Sequence, residues 1–419
     1  MAAKIKNGVL RFITAGSVDD GKSTLIGRLL YDSKAIFADQ LHAIETASER
    51  RGLSATDLSL LTDGLQAERE QGITIDVAYR YFATPTRKFI IADSPGHEQY
   101  TRNMVTAAST ADLAVILIDA RKGVVTQTRR HAYLAHLLGI QHFILAVNKM
   151  DLVNYSQTVF DDIQIEFNTY AAAIGIDDVQ AIPMSALQGD MIVERGNNLD
   201  WYQEETLLDA LEDIATTNAL QEAPFRFPVQ LVSRPLSLAG NELRGYMGRI
   251  ESGAISVGDE VVVLPTGSKT RVTEIITLEG NAGRAFAGES VTLAINDDLD
   301  IARGDMFALT NNPPNVTKRF DAMLCWFGQE SLSTVGRYLI KHTTRIVRAR
   351  IPSVVFRVDP NTLEQHEKLT TLHMNDIAQV AVQTQQPLLF DPYITNRATG
   401  SFIVIDEATN NTVAAGMIL

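Results

Sequence analysis

Cysteine is almost missing from this 419-residue chain, and the single Cys325 has no partner for an internal disulfide. It sits in the apolar run Met323-Leu324-Cys325-Trp326-Phe327, where a buried, inert thiol is expected. Long hydrophobic runs are missing too. No apolar stretch reaches the length a bilayer crossing needs, and Met1-Ala2-Ala3-Lys4-Ile5-Lys6 has no apolar core of signal-peptide type. These absences predict a cytoplasmic protein with no membrane attachment. Positive charge is in deficit: 37 Lys and Arg against 50 Asp and Glu give −13 at pH 7, with a sequence pI near 5.1. That balance lacks the electrostatic footprint of a protein whose main partner is a nucleic-acid backbone, so nucleotides and proteins are the expected partners. Internal repeats and low-complexity tracts are absent as well.

What is present is a soluble, globular composition, 45% hydrophobic and 21% charged. The length exceeds what one hydrophobic core organises, which predicts roughly two to four domains. Near the start, Gly16-Ser17-Val18-Asp19-Asp20-Gly21-Lys22-Ser23-Thr24 fits G-x-x-x-x-G-K-[ST]. It follows the apolar run 9–15, read as a buried strand, and precedes residues 25–30, read as the helix the loop opens into. Strand, glycine-rich turn and helix in that order make a phosphate-binding loop. The two glycines let successive backbone N–H groups turn inward on phosphate oxygens, and the helix N-terminus adds partial positive charge. Lys22 is placed to reach the β- and γ-phosphates, and the Ser23 hydroxyl to occupy one position on Mg²⁺.

From residue 9 to about 190, apolar runs (9–15, 89–93, 113–119, 143–148, 181–185) alternate with helical patterns (101–108, 126–138, 158–174). Runs that are apolar throughout suit strands covered on both faces, so this part reads as an α/β P-loop domain on a mostly parallel sheet. Residues 32–72 differ. Charge and helix formers there predict two short surface helices, 35–51 and 57–69, in the position of a switch region. Beyond a boundary at Pro224 to Val229, short β-branched strands (245–250, 260–264, 270–278, 290–295) predict an antiparallel barrel. A second boundary at Asn311-Asn312-Pro313-Pro314 introduces another barrel, with strands at 320–327, 337–351 and 353–358 and a turn-rich segment at 359–367. The domain boundaries expected are 1–222, 223–312 and 313–419. Arg337, Lys341, Arg345, Arg348 and Arg350 form a basic cluster whose even and odd spacings put it on both faces of a strand region. It reads as a solvated sheet edge or as a surface for an acidic partner.

Four further motifs follow the phosphate loop. Gly72-Ile73-Thr74-Ile75 offers Thr74, whose hydroxyl and carbonyl could close over Mg²⁺ and the γ-phosphate. Asp93-Ser94-Pro95-Gly96-His97 follows a strand, with Asp93 holding Mg²⁺ through water and the Gly96 N–H sensing the γ-phosphate. Asn148-Lys149-Met150-Asp151 fits N-K-x-D, and a carboxylate at Asp151 accepts the two N–H donors on the edge of guanine that adenine lacks. Ser185-Ala186-Leu187 would bring a backbone N–H to the guanine oxygen. In fixed order, each at a predicted strand end, these motifs indicate a GTP site rather than an ATP site.

These motifs and their neighbours resemble the translational GTPase superfamily over nearly the whole chain. Within it the resemblance is to the GTP-binding subunit of bacterial sulfate adenylyltransferase, or ATP sulfurylase. The phrases that carry it are the phosphate loop with Asp20, Tyr31-Asp32-Ser33-Lys34, the stretch 63–82 ending Asp76-Val77-Ala78-Tyr79-Arg80-Tyr81-Phe82, and Gly96-His97-Glu98-Gln99-Tyr100-Thr101-Arg102-Asn103-Met104. The resemblance implies a GTPase domain followed by two β-barrels, with GTP and Mg²⁺ as ligands. It also implies a heterodimer unit with a small catalytic subunit that binds ATP and sulfate and forms adenosine 5′-phosphosulfate and pyrophosphate, an uphill condensation to which GTP hydrolysis is coupled. By the same resemblance His97 orients the attacking water, and Val18 and Ile73 are similar to an apolar pair that fences the water off until activation. Arg69 and Arg102 flank the switches, and neither can be named an arginine finger. Some relatives continue into an adenylylsulfate kinase domain with a second phosphate loop. No second G-x-x-x-x-G-K-[ST] occurs here, so kinase activity is not expected. The alternative is an elongation-factor-like GTPase that binds tRNA and the ribosome.

Overall fold

Strand β1 (Asn7–Gly16) and strand β4 (Leu113–Asp119) lie side by side in the middle of a six-stranded sheet, and their unbroken apolar sequence follows from that position. Every residue of the second of these strands is buried, as both faces of a central parallel strand must be. The computed structural model describes residues 7–36, 76–215, 219–233 and 244–419, together with isolated positions between 39 and 74. Two units emerge from the chain's internal contacts: Met1–Thr216 with Pro360–Leu363, and Thr217–Asp359 with Glu364–Leu419.

In the first unit the elements after β1 are α1 (Lys22–Asp32), β2 (Ala78–Ala83), β3 (Arg87–Asp93), α2 (Thr101–Ala108), β4, α3 (Thr126–Leu137), β5 (His142–Asn148), α4 (Gln157–Ala173), β6 (Val179–Pro183) and α5 (Leu207–Asp213). The strand order is β2-β3-β1-β4-β5-β6. All neighbours are parallel except β2, which runs antiparallel to β3 at the edge. Connections leave β1 first toward β3 and then toward β4, so the order reverses at β1. A crevice opens at the carboxyl ends of the strands at such a switch point, which is where a parallel sheet binds ligands. The expected strands and the helices after residue 100 are present to within a few residues. Strand β2 was not anticipated as a strand, because its outward Tyr79 and Tyr81 break the apolar run that marks the inner ones. Of the helices expected at 35–51 and 57–69, most positions lie outside the described residues; Leu58–Leu61 forms a short 3-10 turn against Gly27 of α1.

One buried charge in this unit has a structural role that sequence pattern did not reveal. Arg87, fully buried at the start of β3, donates from Nη1 to the carbonyls of Leu211 (3.0 Å), Glu212 (3.3 Å) and Ile214 (2.5 Å). A guanidinium there satisfies the orphan carbonyls at the end of α5 and complements the negative end of its dipole.

The second unit holds two closed antiparallel barrels. In the first, Glu260–Leu264, Met306–Leu309, Arg226–Ser233, Gly245–Arg249, Ser290–Ile295 and Ser268–Thr277 pair in that order, and the last closes on the first. In the second, Tyr338–His342, Ser401–Asp406, Thr412–Ile418, Asn315–Trp326, Ile377–Phe390 and Arg345–Val358 do the same. The strand expected over 337–351 is therefore a hairpin, broken at Thr343, whose φ of 46° no extended strand adopts. Phe225, Phe227, Tyr246 and Phe307 fill the first barrel, and Trp326, Tyr338, Phe390 and Phe402 the second. Cys325 is buried in the wall of the second barrel, as its apolar surroundings predict. Within this unit Leu389 of one barrel packs on Val262, Leu264, Met306 and Ala308 of the other. Arg226, 1% exposed, forms a bidentate pair with Asp391 at 2.8 Å on both arms. Among the described residues no helix is long and apolar enough to cross a membrane.

Candidate functional site

The carboxyl ends of β1, β3, β4, β5 and β6 bring together motifs separated by up to 170 residues of sequence, counted from Gly16 to Ala186. At β1 the chain turns through residues 17–21 into α1. Gly21 sits in the left-handed region at φ 96°, and a Cβ there would lie 2.4 Å from Asn148 Nδ2. Gly16 is as constrained, since its Cβ would come 2.8 Å from the Leu117 carbonyl. Close approach thus requires both glycines of the motif, and the left-handed turn requires Gly21 as well.

The loop is shaped by its own polar groups. Asp20, 1% exposed, accepts a hydrogen bond from the Ser17 N–H at 2.6 Å, and burial pushes its carboxyl pKa up against the pull of Lys22. Lys22, also buried, donates to the carbonyls of Gly16 (3.0 Å) and Ser17 (2.8 Å). Burial lowers the Lys22 pKa, with Asp93 and Asp20 opposing the shift. Ser23 and Thr24, at the start of α1, are half-buried, as is Val18.

At β3 the chain is tied back to β1. Thr14 Oγ1 donates to Asp93 Oδ1 at 3.3 Å, and Ser94 Oγ donates to the Thr14 carbonyl at 2.6 Å. Asp93, Ser94, Pro95 and Gly96 are all buried. A Cβ at Gly96 would fall 2.6 Å from Lys22 Nζ and 2.8 Å from the Gly16 carbonyl, so the loop after β3 packs directly on the phosphate loop. His97 is exposed; its Nδ1 accepts from the Gln99 N–H at 3.3 Å, and its ring meets Tyr100 edge-on at 6.2 Å.

The third and fourth motifs are locked to the first. Asn148 Nδ2 donates to the Asp20 carbonyl at 2.8 Å, and its Oδ1 accepts from the Ala186 N–H at 2.9 Å. One buried side chain therefore joins three loops. Met150 is fully buried beneath them, and Asp151 is oriented by Ser185, whose hydroxyl donates to its Oδ1 at 2.6 Å. With the Ala186 N–H engaged, Leu187 is the next residue whose N–H the loop can present, and its side chain is exposed.

Lys149 adopts φ 63°, reaching the Asp19 carbonyl and, at 3.0 Å, Asp119 Oδ2. Motif reading passed over Asp119. This carboxylate, 1% exposed at the end of β4, also receives two bonds from the Arg121 guanidinium at 3.0 and 2.6 Å and one from the Arg121 N–H at 3.0 Å. Burial works to raise its pKa, but the bonds from Arg121 and Lys149 outweigh burial and hold it below the usual carboxylate range. A polar strand end at a carboxyl edge was the only signal that could have found it.

Of the Gly72 to Ile75 motif, only Thr74 falls among the described residues, and it is half-buried; Gly72, Ile73 and Ile75 lie outside them, as does Arg69. Ser23 offers a hydroxyl at the end of the phosphate loop and Asp93 a buried carboxylate at the end of β3, both hard oxygen donors of the type a small divalent cation takes.

Comparison with known proteins gives three family matches in chain order: the elongation factor Tu GTP binding domain over residues 7–217, elongation factor Tu domain 2 over 246–308, and the GTP-eEF1A C-terminal domain-like family over 319–419. The bifunctional enzyme CysN/CysC of Mycobacterium tuberculosis is 55% identical over 412 residues, which are 98% of this chain and 67% of that protein. Sulfate adenylyltransferase subunit 1 of Cellvibrio japonicus is 50% identical, with 100% of this chain and 88% of that protein covered. The same subunit of Bacteroides fragilis is 52% identical, with 98% and 86% covered. Among solved structures, sup35 complexed with GDP aligns over 99% of this chain and 94% of that one, at 24% identity and a TM-score of 0.45.

Proposed function

The chain belongs to the family of sulfate adenylyltransferase subunit 1, built on an elongation factor Tu type GTP-binding domain, and on that premise we propose how its residues perform the GTPase step of sulfate activation in the cytoplasm. The observation that carries the reading is the double anchorage of Asn148, which ties the phosphate loop to the loop after β6, where the Ser185 hydroxyl orients a guanine-selecting carboxylate, Asp151. A free carboxylate swings through several rotamers. Held at 2.6 Å by Ser185 through Oδ1, which keeps a second lone pair, Asp151 presents its two carboxylate oxygens to two N–H donors on one base edge. Adenine, which lacks those donors, would leave the carboxylate unpaired, and a site built to bond a partner rejects the analogue that lacks it.

GTP binding replaces the two carbonyl partners of Lys22 with β- and γ-phosphate oxygens, while the N–H groups of residues 17–24 and the start of α1 take the remaining charge. Ser23, Thr74 and, through water, Asp93 would hold Mg²⁺, which would supply charge neutralisation on the triphosphate. The Gly96 N–H reads the γ-phosphate. His97 orients the water whose oxygen attacks the γ-phosphorus as the bond to the β-γ bridging oxygen breaks, releasing GDP and phosphate. Its exposure in the present arrangement fits slow hydrolysis by the subunit alone, since an attacking water held by a solvated ring is poorly positioned. A partner, the small subunit that joins sulfate to the adenylate of ATP, would complete the site and couple hydrolysis to that uphill condensation.

The test is GTP turnover by the purified chain with and without the small subunit, ATP and sulfate, beside His97→Ala. Turnover that rises only with partner and substrates, and falls about 10²-fold or more in the variant, supports the reading. Turnover indifferent to all three overturns the coupling, and an active His97→Ala removes the histidine from its role.

A further inference from the structure

The outer wall of the second barrel carries a charge pattern that GTP binding does not use. Tyr338 pairs with Ala349, so Arg337, one residue earlier, comes level with Arg350. Arg350 pairs in turn with Gln383, and Gln383 with Arg319. A single row across adjacent strands thus reads Arg337, Arg350, Gln383, Arg319, and all four are exposed. At the usual strand spacing the row is about 14 Å long. Arg348, two residues from Arg350 on the same face, is 69% exposed at its side chain and pairs with Glu407 at 2.8 Å. Among the described residues Arg337, Arg350 and Arg319 have no carboxylate partner. Arg337, Arg348, Arg350, Gln383 and Gln385 line a shallow depression of about 400 Å³. Arg345 of the same cluster is not part of this face: it is half-buried and directed at Asp305 of the other barrel at 3.4 Å.

Like charges level with one another on neighbouring strands destabilise a sheet. This barrel carries them in a chain whose net charge is −13. The repulsion is relieved when carboxylates cover the row. A small anion would stay hydrated in so open a depression, where exposed pairs contribute about 0–1 kcal/mol. A protein surface that excludes water while pairing with the guanidinium forks gains far more, because bidentate pairs strengthen on desolvation. Nucleic acid fits less well: the surplus negative charge repels a long polyanion, and no residue of the row offers a ring for base stacking.

We infer that this row is a docking face for a carboxylate-bearing surface of the small subunit. The inference rests on the two-subunit reading above and deepens it by naming where the partner sits.

The experiment is titration of the full chain with the small subunit at 0.05 and 0.3 M salt, for the native sequence, for the triple variant Arg337→Glu, Arg348→Glu, Arg350→Glu, and for the neutral double variant Arg337→Gln, Arg350→Gln. Fluorescent GDP binding to each reports that the GTP site is intact. Electrostatic docking predicts a complex weakened about 10-fold or more by the triple variant, weakened less by the double variant, and less salt-sensitive in both, with GDP affinity unchanged. A native complex that both variants reproduce sinks the docking face and leaves the two-subunit reading standing. The absence of any native complex sinks that reading, and this inference with it. RNA retained by the native chain and lost by the triple variant, at unchanged small-subunit affinity, would reassign the face to nucleic acid.

Discussion

Asn148→Ala distinguishes a residue that builds the site from one that only touches the ligand. The side chain makes two buried hydrogen bonds, to the Asp20 carbonyl at 2.8 Å and from the Ala186 N–H at 2.9 Å. The bond to the Asp20 carbonyl contributes about 1 kcal/mol net, and the Ala186 N–H left buried without a partner costs about 1–3 kcal/mol. The sum is about 2–4 kcal/mol lost from the first unit before any nucleotide is present. For a domain of this size that corresponds to a fall in Tm of about 4–16 °C. Thermal unfolding of the nucleotide-free protein, followed by a probe specific to the GTP-binding unit because two units need not melt together, measures it. GDP added in excess should restore part of the stability but leave a weaker affinity, since the variant must order three loops on binding. A nucleotide-free Tm equal to that of the native protein would refute the reasoning, whatever the effect on GDP affinity.

Gly96→Ala puts a methyl 2.6 Å from Lys22 Nζ and 2.8 Å from the Gly16 carbonyl, so the loop carrying His97 must shift; GTP hydrolysis should fall by at least about 10²-fold while GDP binding, measured by fluorescence, changes far less. His342 is 1% exposed, and its Nε2 lies 2.6 Å from the Thr399 carbonyl; burial pushes its pKa from the ordinary 6.5 down to about 4. The folded state then binds the proton more weakly than the unfolded chain, so this contribution is complete above pH 6.5 and is lost as pH falls toward 4, about 2 kcal/mol by pH 5. Urea titrations of the native protein and of His342→Gln across pH 5–7.5 should differ in slope over that window, and parallel curves would count against it. Arg226→Met removes the buried partner of Asp391; it should cost the second unit about 3–5 kcal/mol in urea unfolding, because it strands a carboxylate. The same change paired with Asp391→Leu should recover most of the loss, and failure to recover would show that the pair's geometry is not what matters.

Local signals were the legible ones. A phosphate loop is written in consecutive residues, because the two glycines, the lysine and the hydroxyl act within one turn of chain. The inner strands are legible because both faces are covered, which leaves unbroken apolar runs ending at the polar residues Asp93, Asp119 and Asn148. The edge strand β2 and the hairpin within 337–351 were not legible, because an exposed face and a tight turn at Thr343 interrupt or mimic those runs.

The sequence by itself determined the nucleotide class, the parallel sheet, the presence of two barrels and the order of the motifs, since each depends on residue types at short spacing. Only the tertiary structure decided which polar groups meet. Asn148 finds Asp20 across 128 positions, Arg87 finds the end of α5 across 124, and Arg226 finds Asp391 across 165. The same holds for the basic cluster: strand register alone puts Arg337, Arg350 and Arg319 in one row and turns Arg345 away toward Asp305. Spacing along a chain says which face of a strand a residue occupies, whereas its neighbour on the next strand is set by how the sheet closes.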